Sequence, residues 1–140
     1  MIGIDLVDPD DLVALTSPLT SERIFTAAER AGAQTGSLLE VFAAKEALLK
    51  ALGWGLERGV ARLAEIEVER GDEDLVTLRA GGRVGDELAR RRAEASGLLF
   101  RVGEARGAVV VAAASREAAG AILADVRHAV AERKARFYVS

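Results

Sequence analysis

Residues Phe42 to Gly53 read FAAKEALLKALG, and the fold turns on what this stretch becomes. Four Ala, three Leu, two Lys and a Glu, with no β-branched residue, are strong helix formers, and Gly53 suits a left-handed C-cap. Ser37 followed by Glu40 has the spacing of a capping box, which predicts a start near Ser37. At helical spacing Ala44, Ala47, Leu48 and Ala51 share a face, with Leu52 at its margin. Glu46 and Lys50 stand one turn apart on the other side. The stretch is therefore expected to bury one side and to offer a carboxylate and an ammonium on the other. In isolation that pair is an ordinary helix stabiliser worth about 0.2–0.5 kcal/mol.

Upstream, Ile2, Ile4 and Leu6 alternate with Gly3, Asp5 and Val7, the pattern of a buried strand carrying one acid. Asp5 needs a partner if it is buried, or else it serves as a cap or turn residue at the strand end. Asp8, Asp10 and Asp11 around Pro9 suit a helix N-terminus leading into Leu12, Val13 and Leu15. Residues 16–20 read as a connection. Ser21 to Ala31 is helical and broken at Thr26, where Thr26 and Glu29 repeat the capping-box spacing. Gly32 to Gly36 is a loop.

Downstream, Gly53-Trp54-Gly55 and Gly59 bracket an irregular segment, in which glycine amides either cradle an anion or only end the helix and turn the chain. Ile66 and Val68 alternate with Glu65, Glu67 and Glu69, a strand with one wet face, and Val76 and Leu78 carry its return after the Gly71–Asp74 turn. Arg83 to Ser96 is helical by composition, with Val84 and Leu88 inward and Arg90, Arg91 and Arg92 on a solvated face. Leu98–Val102 and Ala108–Ala114 are strands joined across 103–107; the second is apolar almost throughout and should be covered on both faces. Ser115 then caps a long helix to about Ala135, with Ile122, Leu123, Val126 and Val130 at helical spacing and His128 at its surface.

The composition narrows the function. The chain's 140 residues, half of them hydrophobic, are enough for a single domain with a real core. With no cysteine, disulfides and thiolate metal sites are excluded. No apolar run approaches the roughly 18 residues of a membrane span, and no signal-peptide pattern opens the chain, so a cytoplasmic, non-membrane protein is expected. A net charge of −3 gives no basic field for nucleic acid.

The pattern FxxKExxxK followed by ALGxGL, with Gly3-Ile4-Asp5-Leu6-Val7 upstream, resembles the 4'-phosphopantetheinyl transferases of the small holo-acyl-carrier-protein synthase type. Phe25-Thr26-Ala27-Ala28-Glu29 is similar to that family's FTxxE helix start, and the resemblance runs from Ile2 to Val68. It implies an α+β fold in which a small antiparallel sheet packs on the central helix over 1–115, with 116–140 as a helical extension of the same domain. It also implies a homotrimer with sites near subunit interfaces, Mg²⁺, coenzyme A as substrate and an acyl or peptidyl carrier protein as partner. By position Asp5 and Glu46 match the metal carboxylates, Lys50 the phosphate-facing lysine and Lys45 a coenzyme A contact; Glu46, Lys50 and Asp5 make up the catalytic set. Gly53 and Gly55 are counted with Lys45 and Lys50 as cofactor-binding residues.

The chain departs from the family at three places. Val41 stands where a basic residue is common, Leu98 to Glu104 lacks the family's Ser-His pair, and Asp8, Asp10 and Asp11 replace arginine that would face an acidic carrier, where like charge slows encounter. Two other readings therefore stay beside the transferase: the same fold repurposed as another biosynthetic enzyme or partner-binding subunit, and a structural module in which Glu46 and Lys50 only stabilise a helix.

Overall fold

A computed structural model describes residues 1–11, 17–32, 35–54 and 60–138. The alternating N-terminal residues form a strand, β1 (Ile2–Val7), followed by a 3-10 turn at Pro9–Asp11; residues 12–16, into which a helix is expected to lead, lie outside the described residues. Two short helices, α1 (Pro18–Ile24) and α2 (Ala27–Gly32), precede the central helix α3 (Thr35–Ala51). After a 3-10 turn at Val60–Glu65 come β2 (Ile66–Arg70), β3 (Leu75–Ala80), α4 (Gly82–Arg90), β4 (Glu94–Val102), β5 (Ala105–Ala113) and α5 (Arg116–Tyr138). The strands make one antiparallel sheet in the order β1-β5-β4-β3-β2. The fold is thus α+β, as expected.

The sheet has a helix on each face. Ala108, Val110 and Ala112 of β5 join Ala43, Ala44, Ala47 and Leu48 of α3 in the main core, while Val109 and Val111 pack with Leu98 of β4 and Ala119 and Leu123 of α5. That double cover is why β5 is apolar at successive positions. None of the described helices is long and apolar enough to cross a membrane.

The break at Thr26 is real. The Thr26 amide donates to Glu29 Oε1 at 2.9 Å and the Glu29 amide to Thr26 Oγ1 at 3.2 Å, a reciprocal capping box opening α2. Three other expectations need correction. The central helix begins at Thr35, so Ser37 lies inside it, and Glu40 instead accepts from Arg70 at 2.6 Å. α3 does not have one wet side: from Leu38 to Leu49 every residue is buried except the half-buried Phe42, because the sheet covers one side and Ile24 and Phe25 the other. The helix expected over Arg83–Ser96 ends at Arg90. Arg92 at φ 52° closes it, and Ala95 to Leu98 pair with β3 because Ala95 is buried by the core there and would be wasted on a solvated helix.

One contact sets the distance between β1 and α3. A Cβ on Gly3 would lie 1.8 Å from the Ala47 carbonyl oxygen and 2.6 Å from the Ala51 amide, so strand backbone rests directly on helix backbone. Only glycine permits this approach, and the small side chains of α3 are its counterpart. Backbone cannot swing aside as a flexible side chain can. Gly3→Ala is therefore expected to destabilise the chain by about 3 kcal/mol or more, read as a lower urea midpoint with an unchanged slope.

Candidate active site

β1 presents Gly3, Asp5 and Val7 to α3, since they pair with Val110, Ala108 and Arg106 on the helix-facing side of β5. With Gly3 seated at Ala47 and Ala51, Asp5 reaches the last turn of α3. There Lys50 donates to Asp5 Oδ1 at 2.5 Å, the aspartate side chain being 12% exposed and the lysine side chain 51%. The buried acid of the first strand thus has its partner, from 45 residues away in sequence. Lys50 does not bridge to Glu46, its i−4 neighbour and the ordinary helix partner.

Glu46 is consequently the unusual member. It is only 8% exposed, and none of the described residues donates a hydrogen bond to its carboxylate. Burial holds its pKa above the usual carboxylate value, the Asp5 charge adds to the rise, and Lys50 opposes it. Two carboxylates and one ammonium leave the group net negative, with one acid lacking a direct donor. That donor set fits a hard divalent cation. Among the described residues no three Asp, Glu, His or Cys side chains gather to enclose an ion, so the remaining ligands would be water or substrate oxygens, as Mg²⁺ commonly takes.

The other residues singled out in the sequence lie elsewhere. The Lys45 ammonium is fully buried, donating to Glu29 Oε1 at 2.6 Å and the Ile24 carbonyl at 2.7 Å, with its Nζ 5.5 Å from the Phe25 ring centroid. Burial lowers its pKa, against the raising effect of the Glu29 hydrogen bond and charge. Facing inward, it does not meet Asp5, Glu46 and Lys50. Gly53, at φ 76°, ends α3: its amide donates to the Lys50 carbonyl at 3.0 Å and the Trp54 amide to the Leu49 carbonyl at 2.9 Å, the paired bonds of a Schellman cap. Its N–H is therefore already used within the chain. Gly55 lies outside the described residues.

Two features escaped the sequence reading. Glu29 does more than cap α2, since its second oxygen accepts the Val68 amide at 2.9 Å and so ties α2, α3 and β2 together. Glu40, expected to cap a helix, is ringed by Arg70 at 2.6 Å, Arg106 at 3.5 Å and Arg101 at 3.9 Å, from β2, β5 and β4. No local pattern marks partners that distant strands supply.

A family model described as the 4'-phosphopantetheinyl transferase superfamily matches residues 1–112. The chain belongs to the 4'-phosphopantetheinyl transferase superfamily. Several solved holo-acyl-carrier-protein synthases share its fold. That of Neisseria meningitidis is 26% identical, over 80% of this chain and 96% of that one, with a TM-score of 0.66. The ACPS–coenzyme A complex of Chronobacterium ammoniagenes is 26% identical over 83% and 98%, with a TM-score of 0.65. The Bacillus anthracis synthase in complex with coenzyme A (3',5'-ADP) is 27% identical over 81% and 96%, with a TM-score of 0.62. No curated protein matches the chain. The superfamily match stops at residue 112, near the end of β5, so α5 follows the matched span.

Inside this superfamily fold the Lys45–Glu29 pair is a structural tie. Removing one partner of a buried pair strands the other charge, so Lys45→Met is expected to cost about 3–5 kcal/mol. Glu29→Gln combined with Lys45→Met should cost clearly less than the sum of the single changes, which denaturant unfolding of the three variants would measure.

Proposed function

We propose that the chain transfers the 4'-phosphopantetheine arm of coenzyme A to a serine hydroxyl of an acyl or peptidyl carrier protein, with Asp5 and Glu46 holding Mg²⁺. Superfamily membership and similarity to synthases solved with coenzyme A support the substrate. The observation that carries the site is Glu46, a largely buried residue whose carboxylate takes no hydrogen bond from the described residues, beside an Asp5 that already engages Lys50. A helix-stabilising residue would have no reason to be so placed, which weighs against the purely structural reading.

In this reading the serine oxygen forms a bond to the phosphorus that bears the pantetheine, and the bond from that phosphorus to the bridging oxygen breaks. Adenosine 3',5'-bisphosphate leaves. Glu46 takes the serine proton, and Lys50 neutralises the phosphate oxygen that departs. Bound Mg²⁺ would supply charge neutralisation and polarisation of the pyrophosphate. Asp5 keeps Lys50 and Glu46 in register through the short contact to β1. The assembly is a homotrimer in this proposal. The outer face of β1, where Ile2, Ile4 and Leu6 are 53%, 57% and 54% exposed, offers an apolar surface to a second copy.

The decisive assay incubates apo carrier proteins with coenzyme A, Mg²⁺ and the enzyme and weighs the product. A phosphopantetheine mass increment is expected, and its absence across several carriers would overturn the transferase reading in favour of the repurposed fold. Glu46→Gln should lower the rate by about 10²–10⁴-fold. The raised Glu46 pKa bears on stability in the metal-free chain. The folded chain binds this proton at higher pH than the unfolded chain, so ionised Glu46 is a cost above its folded pKa, and that cost fades as pH falls toward 4.5. Glu46→Gln should accordingly hold or raise Tm at neutral pH without metal, as a calorimetric scan would show.

A further inference from the structure

We infer that Lys50 gates the cation site: its ammonium holds Asp5 in the ligand-free chain, excludes a divalent cation from Asp5 and Glu46, and is drawn off by an anionic diphosphate, which thereby admits the cation. This rests on the reading of Asp5 and Glu46 as cation ligands, and adds to it an order of events that no family resemblance implies.

The geometry supports the gate in three ways. First, Lys50 takes the distant acid and not the near one. Glu46 sits one turn before it on the same helix, yet the 2.5 Å bond goes to Asp5 across the β1–α3 contact. A cation bridging the two acids needs an Asp5 oxygen, and the Lys50 bond takes one of the two and sets an ammonium beside the other. Second, the charges conflict. Asp5, Glu46 and Lys50 sum to −1; adding a dication while the ammonium stays in contact sets three positive charges against two negative ones at close range. Once Lys50 departs, the two acids and a dication balance. Third, Lys50 is able to depart. Its side chain is half exposed, on the last turn of α3, while Asp5 and Glu46 are largely buried on opposing elements. A lysine is a point charge on a flexible stem, suited to exchanging one anion for another.

Diphosphate oxygens offer that exchange. They give Lys50 a new partner outside the pair of acids and supply ligands that two carboxylates cannot. Cation and diphosphate therefore promote each other's binding, by the same factor in each direction. The chain avoids closing its acids on a cation before a substrate is present.

The test uses the full chain and simple probes. Mg²⁺ and Mn²⁺ are titrated calorimetrically, without diphosphate, into the wild type, Lys50→Met and Lys50→Gln. The gate predicts that both neutral variants bind the cation about tenfold more tightly or better, since both the ammonium's contact and its repulsion are gone. Inorganic pyrophosphate should then strengthen cation binding to the wild type by a larger factor than to either variant. Equal or weaker binding to both variants would overturn the gate and leave the cation site standing. No cation binding by any of the three, with or without pyrophosphate, would overturn the cation site and the gate together. Nitrogen-detected NMR of the wild type reports on the same point without substitution: the Lys50 ammonium resonance should move on saturation with cation, and an unmoved resonance would contradict the gate.

Discussion

Strand backbone lying on helix backbone at Gly3 is the contact from which the candidate site follows. With no Cβ at Gly3, β1 settles against the Ala47 carbonyl and the Ala51 amide, and the strand's two-residue period then delivers Asp5 to the same face one step further on. The helix's own period places Glu46 and Lys50 one turn apart beside it. Two periodicities, locked by one close approach, bring together residues that lie 45 positions apart. The alanines of α3 serve the same end, since larger side chains at Ala43, Ala44 or Ala47 would lift the helix from the sheet.

Neighbouring residues of α3 divide structure from chemistry. Lys45 points into the protein, fully paired with Glu29 and the Ile24 carbonyl, and through Glu29 connects α2 and β2. Glu46, the next residue, is largely buried too, but its carboxylate takes no hydrogen bond from the described residues. A satisfied buried pair fixes the helix in place, and the acid beside it, free of protein donors among the described residues, stays available for a ligand.

Much of this was legible in the sequence. Helix formers and the terminal glycine announced α3 and its cap, alternation announced β1 and β2, and the Thr26–Glu29 spacing announced the break between α1 and α2. The motif around Phe42 led to the superfamily. Tertiary choices were not legible. The Glu46–Lys50 spacing suggested a local pair, and Lys50 instead took Asp5 because the strand passes within reach. Glu94 to Gly97 carry no strong strand preference, and pairing with β5, joined from Ala95 on by pairing with β3, makes strand of them. Lys45 gave no sign of facing inward, since a lysine on a helix is ordinarily a surface residue until a buried acid meets it. The arginines around Glu40 come from three strands, and spacing along the chain says nothing about them.

The central claim, that β1 and α3 aim two acids at one cation, is tested most directly by paramagnetic broadening. Mn²⁺ is added in substoichiometric steps with pyrophosphate while carbon-detected NMR follows every side-chain carboxyl resonance. The account predicts that the Asp5 and Glu46 carboxyls broaden first and together. Broadening that begins at Asp8 and Asp10, or that reaches only one member of the pair, would contradict it.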